Sequence, residues 1–423
     1  MIDGTSISPP CSRRLSSIRL FLLAIFCALF LPGQALPLHA AGEDRILQMI
    51  GPRDALILSG PGHKTLLQKN IHTPLIPAST LKLLSALAVM DTLGRDHRFE
   101  THFYAGADGA VRIKGFGDPL LISETVAEMA TQVFAAVRHH GGAINSLLVD
   151  DTYFATPIEI PGVMPSSEPY DAPVGAFCVN FNTVNYRVEN NTVLSAESQT
   201  PLLPFAESLI RQKGIRGGGR IVLSHDNHAI ALYGAHLLAY FLAEKGAAGI
   251  EQVGMASADI PPGSQLLAYR SPFGLTELVQ KMMAFSNNFV ANQLVITAGA
   301  KKFGAPGTLA KGVRLLESYC REKLVLKNFT LVEGSGISRQ NRFTALALLK
   351  IVAEFEPYHD LLRYRDGEYF KTGTLKGVRS RVGYIRRPAG GLYRFVIVVN
   401  TPGRSAAGIK RALTGYLIQN GYP

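Results

Sequence analysis

The chain has 423 residues, 47% of them hydrophobic, and 43 Lys and Arg against 32 Asp and Glu give a formal net charge of +11. This length predicts two or three domains, and the composition excludes a disordered or fibrous protein. A basic balance is typical of proteins that meet nucleic acid, a membrane face or an anionic polymer. The basic residues are dispersed along the chain, and this dispersal disfavours nucleic acid as the binding partner.

The first 41 residues have the organisation of a secretory signal. Arg13, Arg14 and Arg19 precede an unbroken apolar stretch, residues 20–31, and small residues suited to cleavage follow it. The stretch is shorter than the roughly 20 residues that span a bilayer. We therefore predict export, with an uncleaved anchor as the alternative. Export also argues against a nucleic-acid partner and leaves a peripheral contact with a membrane or wall open.

Residues 76–90, IPASTLKLLSALAVM, predict a helix that runs through the core. Pro77 stands near its start, Gly94 is a typical stop, and the residues between are apolar on nearly every face. Ser79 and Lys82 lie one turn apart at the head of this helix. Burying a lysine in such apolar surroundings costs free energy unless its amine is paired or takes part in the chemistry of the site.

The pattern of residues changes over 97–265. Short strand-like runs alternate with Gly, Pro and Asn turns, and one clear helical stretch covers residues 233–246. We interpret this part as an accessory insertion into one helix-and-sheet domain. The predicted organisation is a signal at 1–41, a first domain half at 42–96, the insertion, and a second half at 266–423.

The second half opens with a predicted helix over 275–298 that a polar knot, Ser286-Asn287-Asn288, interrupts. Strands are predicted at 368–375, 379–385 and 392–400, the last as a central strand, and a helix with an apolar face follows at 408–422. Two cysteines remain outside the signal, Cys178 and Cys320, and they form no metal motif. They are either one disulfide or two buried thiols.

The spacing of Ser79 and Lys82 places both side chains on one helix face. A serine hydroxyl is a poor nucleophile until a neighbour takes its proton, and a lysine whose pKa is lowered by burial can take it. Alone the pair is weak, since a chance Ser-x-x-Lys with a solvent-facing lysine is common. The interpretation depends on further polar knots elsewhere.

Two such knots follow in the chain, Ser286-Asn287-Asn288 and Lys371-Thr372-Gly373-Thr374. Ser286 and Asn288 can point into one cleft, relaying a proton and holding a substrate amide. A strand with lysine, threonine and glycine can grip a terminal carboxylate while a peptide pairs with its edge. Each knot also has a plain structural interpretation, as a helix kink and an edge strand. The ordered set S-x-x-K, S-x-N, K-T-G is far more specific and is typical of penicillin-interacting serine enzymes.

With these motifs the chain resembles the class C penicillin-binding proteins, the D-Ala-D-Ala carboxypeptidases/endopeptidases of bacterial cell walls. The segments IKGFGDPLL, EGSGISRQNRFT and KTGTLKGVRSRVGYI are similar to the family's glycine-rich segment, its DGSGLSR-N loop and its active-site strand and hairpin. The likeness runs from about residue 45 to about 420. Glu333 stands where the family usually has Asp.

The resemblance implies a fold and a localisation. The fold is α/β (α+β), of the serine DD-peptidase/β-lactamase type, with an antiparallel sheet flanked by helices and a large, mostly β insertion. The enzyme would act in the periplasm on peptidoglycan peptides ending in D-Ala-D-Ala, and β-lactam antibiotics would inhibit it. No metal or cofactor is expected.

The resemblance also implies a role for each motif residue. Ser79 would be the nucleophile, Lys82 its base, and Ser286 would pass a proton to the leaving D-alanine. Asn288 would bond the substrate backbone and Lys371 would lend positive potential. Thr372 and Thr374 would hold the carboxylate beside Gly373, and the backbone N–H groups of Ser79 and Thr374 would form the oxyanion hole.

Three alternatives remain. A β-lactamase shares the motifs, although the long insertion argues against it. A non-catalytic wall-binding protein would keep the fold without needing intact motifs. A Ser-His-Asp hydrolase built on Ser335 would need partners that the sequence does not place near it.

Overall fold

The computed structural model describes residues 38–247, 249–257, 263–387 and 391–422, with the side chains of residues 38–41 left out. The chain divides into two compact units, residues 1–45 and 46–423. The predicted signal, residues 1–41, lies outside the residues whose side chains are described and stays a prediction. Within the described ranges, no helix combines the length and the apolar character needed to cross a membrane.

Ten helices are described. Their bounds are α1 Leu38–Gln48, α2 Lys82–Leu93, α3 Ser123–His139, α4 Pro204–Gln212, α5 Asn227–Glu244, α6 Leu275–Phe285, α7 Asn288–Phe303, α8 Leu309–Ser318, α9 Ala345–Phe355 and α10 Ala406–Gln419.

Sixteen strands accompany them. They are β1 Asp54–Ser59, β2 Thr65–Lys69, β3 Arg98–Ala105, β4 Ala110–Gly115, β5 Ser146–Asp150, β6 Thr183–Glu189, β7 Thr192–Ser195, β8 Gly218–Val222, β9 Gln252–Met255, β10 Gln265–Gly274, β11 Phe329–Thr330, β12 Arg342–Phe343, β13 Arg363–Arg365, β14 Glu368–Leu375, β15 Val378–Arg386 and β16 Leu392–Val399.

The largest sheet is antiparallel throughout, with the order β13-β14-β15-β16-β1-β2. The predicted strand at 368–375 is β14, and the strand predicted as central is β16, which lies between β15 and β1. Strands β1 and β2, near the start of the second unit, therefore lie in the same sheet as β13–β16, near its end.

Helices cover both faces of this sheet. Every residue of β1 is buried, and its alternate side chains enter different cores. Leu56 and Leu58 pack with α10, whereas Ala55 and Ile57 belong to the core that contains α2, α7 and α9. A strand buried on both faces reads as a continuous apolar run, which is why DALILS shows no alternation of polar and apolar residues.

Residues 97–265 contribute to a five-stranded sheet, β10-β3-β4-β5-β9, and to a three-stranded sheet, β7-β6-β8, and the helices α3, α4 and α5 lie between their strands in the chain. The strand β10 lies just beyond the predicted boundary at 265 and pairs with β3. The sequence indicated one helix in this region, now α5, and missed α3 and α4. A signal for α3 was present, because Val126, Met129, Val133 and Val137 recur at helical spacing and are buried.

The helix predicted after Ser79 is confirmed, and it ends at Gly94, whose φ is 85°. Its first turn, Ala78–Leu81, is a 3₁₀ turn rather than α-helix. The helix predicted over 275–298 is confirmed as α6 and α7, and α7 continues to Phe303. Cys178 and Cys320 are both buried free thiols, so the disulfide alternative is wrong.

Candidate active site

Ser79 sits on the 3₁₀ turn that precedes α2. The turn begins at Ala78, which is fully buried and adopts a left-handed φ of 50°. A non-glycine residue keeps such a backbone only where its surroundings enforce it. Two hydroxyls do so here, because Thr80 Oγ1 and Ser380 Oγ both donate to the carbonyl of Pro77, at 2.7 and 2.6 Å.

Two glycines let neighbouring segments approach this turn. A Cβ on Gly373 would lie 2.2 Å from Ser380 Oγ and 2.9 Å from the Cβ of Ala78. A Cβ on Gly336, whose φ is 80°, would lie 2.0 Å from the carbonyl oxygen of Ala78. Neither position admits a larger residue without moving the turn that carries Ser79.

Lys82 begins α2 and is completely buried. Its Nζ lies 2.8 Å from Asn288 Oδ1, 2.7 Å from the carbonyl oxygen of Ser335 and 3.1 Å from Ser79 Oγ. Two of these neighbours are carbonyl oxygens and only accept. A neutral amine has two N–H donors for them, and its lone pair is then left facing the Ser79 hydroxyl. The contacts of Lys82 therefore fit the free amine that a base requires.

The electrostatic surroundings favour the same state. Burial, and next the positive charge of Lys371, hold the pKa of Lys82 well below its usual value, while Glu333 acts in the opposite direction. Desolvation disfavours the charged form of a lysine because the interior solvates an ammonium poorly.

Ser286 occupies the break between α6 and α7 with a left-handed φ of 55°. Asn287 caps α7 by accepting from the Val290 N–H at 3.1 Å, which fixes where the second helix starts. This geometry turns Ser286 Oγ towards Lys371 Nζ, 2.7 Å away. The polar knot is thus both a helix junction and one wall of the site.

Asn288 joins two parts of the chain that the sequence did not connect. Its Oδ1 accepts from Lys82, and its Nδ2 donates to the carbonyl of Tyr170 at 3.3 Å. Tyr170 belongs to the region predicted as an insertion, and its side chain is 56% exposed. The sequence did not predict an exposed tyrosine so close to Asn288. No motif points to Tyr170, and only its neighbours in the folded structure connect it with the site.

Strand β14 carries Lys371, Thr372, Gly373 and Thr374 with strict alternation. Lys371 and Gly373 are buried on the face that packs against the turn of Ser79, whereas Thr372 and Thr374 are exposed on the other face. Alternation follows from the two-residue period of a strand. Burial, and next the charge of Arg363, lower the pKa of Lys371 to about 7.

Glu333 organises the loop that reaches Lys82, a role that the sequence analysis did not assign. Its carboxylate is fully buried and accepts six hydrogen bonds. The donors are the N–H groups of Ser335 (2.6 Å), Gly336 (2.8 Å) and Ser338 (3.3 Å), the Ser335 hydroxyl (2.6 Å), and the amides of Asn341 (2.6 Å) and Asn292 (3.3 Å). So many donors compensate the desolvation of a buried charge.

Ser335 itself is not available for chemistry. It is fully buried, and its hydroxyl donates to Glu333. Its carbonyl, by contrast, accepts from Lys82. The hydrolase built on Ser335 is therefore excluded by the structure, and Ser79 is the partly exposed serine beside the buried amine of Lys82.

The sequence-predicted site residues thus meet in one place. Lys82 contacts Ser79 and Asn288, Lys371 contacts Ser286, and Gly373 packs on the turn of Ser79. Thr372 and Thr374 lie on the same strand with exposed side chains directed away from the core.

Comparisons with known proteins agree with this geometry. The chain is 28% identical to the D-alanyl-D-alanine carboxypeptidase of Actinomadura sp. (strain R39), covering 77% of this chain and 73% of that protein. It is 25% identical to a carboxypeptidase of Mycobacterium tuberculosis, covering 80% and 74%. The crystal structure of penicillin binding protein 4 (dacB) from Haemophilus influenzae has the same fold, with a TM-score of 0.71 at 19% identity over 89% of this chain and 98% of that one.

The sequence pattern of the D-Ala-D-Ala carboxypeptidase 3 (S13) family matches residues 55–367, more than half of the chain. The matched range ends just before β14, and the contact of Lys371 with Ser286 places that strand at the site. The family expected from the sequence is confirmed. The chain belongs to the D-Ala-D-Ala carboxypeptidase 3 (S13) family and is a serine-type D-Ala-D-Ala carboxypeptidase.

Proposed function

We propose that Ser79 is the nucleophile of this carboxypeptidase and that Lys82 is its base. The observation that carries the proposal is the buried amine 3.1 Å from Ser79 Oγ, with carbonyl acceptors for its two other hydrogen positions. The hydroxyl proton passes to Lys82 while Oγ bonds to the carbonyl carbon between the two D-alanines. The oxyanion that forms is held by the backbone N–H groups of Ser79 and Thr374.

Collapse of this tetrahedral intermediate breaks the peptide bond. The proton that Lys82 received from Ser79 passes through Ser286 to the leaving amine of D-alanine, and the 2.7 Å contact with Lys371 positions the Ser286 hydroxyl for this transfer. An acyl ester remains on Ser79, and a water molecule releases the shortened peptide by the reverse proton path. Asn288 holds the substrate backbone from the opposite wall of the cleft.

The substrate is a peptidoglycan peptide that ends in D-Ala-D-Ala. Its terminal carboxylate would bind the exposed hydroxyls of Thr372 and Thr374, in the positive potential of buried Lys371. The peptide would lie along the edge of β14, where buried Gly373 leaves the backbone open. A β-lactam carries a carboxylate in a similar position, so its attack by Ser79 would give a slowly hydrolysed ester.

We further propose that the protein is exported to the periplasm and that residues 42–96 and 266–423 form the catalytic domain around the insertion 97–265. The supporting observation is the sheet order, since β1 and β2 share a sheet with β13–β16, whereas β3–β9, joined at the boundary by β10, lie in separate sheets.

The first experiment is labelling of the purified protein with a fluorescent penicillin, followed by mass mapping of the labelled peptide. A stable adduct on Ser79 is expected. Rapid turnover of the label would favour a β-lactamase. A folded protein that neither binds nor hydrolyses the label would favour a wall-binding protein without chemistry.

The pH dependence tests the role of Lys371. Because its pKa is about 7, its positive charge is present below that pH and is lost above it. We expect kcat/KM for a peptide with a free C-terminal carboxylate to fall as the pH rises through about 7. The same peptide with an amidated C-terminus should show a weaker decline. Lys371→Ala should cost about 10- to 100-fold on the free acid, as for a hydrogen bond to a charged group.

Arg363 offers a second, independent test of this role. Its charge lowers the pKa of Lys371, so Arg363→Gln should move the alkaline decline to higher pH. Arg365 lies two residues further along β13 and pairs with Asp366 in solvent. Arg365→Gln is the matched control and should leave the profile in place. Equal profiles for all three proteins would contradict the assignment.

A further inference from the structure

A cavity of about 720 Å³ lies in the accessory region, between the start of α4 and one face of α5. Phe205 of α4 and Tyr233, His236 and Tyr240 of α5 line it, the last three at helical spacing on one face. Phe205 and Tyr240 expose 46% and 42% of their surface, which is unusual for large rings. The volume is in the range of ordinary ligand sites.

His236 and Tyr240 supply the exposed polar groups of the lining. The imidazole of His236 can donate a hydrogen bond to a hydroxyl or amide group of a ligand, or accept one from it. Tyr233, by contrast, is 3% exposed, and its hydroxyl is buried beneath the lining, out of a ligand's reach.

The charge of the residues that line the cavity further limits the class of ligand that it can bind. None of the described residues that line the cavity is Lys, Arg, Asp or Glu, although the chain carries a net charge of +11. An anionic polymer or lipid headgroup would be matched by basic residues. This uncharged surface is matched instead by a neutral molecule with both apolar faces and polar edges.

We propose that this cavity binds the N-acetylated amino-sugar units of the glycan strand to which the stem peptides are attached. The proposal rests on the proposed function, since only a peptidoglycan enzyme meets peptide and glycan in one polymer. The exposed rings of Phe205 and Tyr240 pack on the apolar faces of a pyranose. The exposed His236 imidazole bonds its hydroxyl or acetamido groups. The site holds the polymer while the catalytic cleft works on its peptides.

The test uses the full-length protein with Ser79→Ala, so that no chemistry interferes, and calorimetric titration with the β-1,4-linked tetramer of N-acetylglucosamine. Saturable binding is expected. Tyr240→Ala should weaken it at least about tenfold through loss of ring packing. His236→Ala should weaken it about three- to tenfold, the effect of one neutral hydrogen bond.

Two controls separate binding from folding. Tyr364 is 55% exposed on β13, outside the cavity, so Tyr364→Ala should bind the tetramer as the parent does. Tyr233→Phe removes a hydroxyl that a ligand does not reach, so this variant should also bind the tetramer as the parent does. Loss of binding in either control variant would count against the proposal.

The outcome is distinguishable from failure of the proposed function. Penicillin labelling of Ser79 without any binding of the tetramer would overturn only the glycan site. Equal affinity in Tyr240→Ala, or uptake of a long-chain alcohol in place of the tetramer, would also overturn it. In protein that keeps Ser79, Tyr240→Ala should slow D-alanine release from intact peptidoglycan and leave release from a soluble peptide unchanged.

Discussion

Replacement of Lys82 by alanine is expected to slow acylation by a fluorescent penicillin about 10²- to 10⁴-fold, the contribution typical of a positioned base. The physical reason is that Lys82 Nζ, 3.1 Å away, is the group placed to take the Ser79 proton. Stopped-flow labelling of the purified variant measures the rate, and circular dichroism checks its fold. Acylation at the wild-type rate would refute Lys82 as the base.

A structural role for Lys82 must be separated from a chemical one, because its amine also binds Asn288 and Ser335. Lys82→Arg keeps donors for both oxygens but cannot give up its proton at working pH. We expect this variant to be inactive as well. In the wild type the acylation rate should rise with pH as the amine loses its proton, with the rise well below the usual pKa of lysine. A purely structural lysine would give no such rise.

Replacement of Glu333 by alanine is expected to lower the free energy of unfolding by about 4 kcal/mol or more, if the variant folds at all. Six donors lose their acceptor in a fully buried site, and each unpaired donor costs free energy. Denaturant unfolding measures the change. Acylation should fall too, since the loop places the Ser335 carbonyl on Lys82.

Two smaller changes at Glu333 make the prediction specific. Glu333→Asp keeps the carboxylate, as in the family's usual loop, and should cost least. Glu333→Gln keeps the shape but turns an amide towards donors, so it should cost more than Asp and less than Ala. Because Glu333 raises the pKa of Lys82, Glu333→Gln should also shift the rise of acylation to lower pH. Wild-type stability in the alanine variant would contradict this role.

Much of the fold could be predicted from local patterns. The strand at 368–375 and the helix that ends at Gly94 were predicted closely, because period, caps and stops are properties of a few neighbouring residues. The same holds for the Ser79–Lys82 pair, whose one-turn spacing fixes a shared face. The helix α3 was missed although its spacing was regular, because the turn residues around it favoured short strands.

The sequence by itself predicted the motif residues of the candidate site, through three ordered motifs and the resemblance they carry. Only the tertiary structure decided which atoms meet: Lys82 with Asn288, 206 residues apart, Lys82 with the Ser335 carbonyl, 253 apart, and Lys371 with Ser286, 85 apart. It also made Glu333 an organiser of the loop and left both cysteines as free thiols. Local periodicity is encoded over a few residues, whereas contacts over such separations depend on how complete helices and sheets pack.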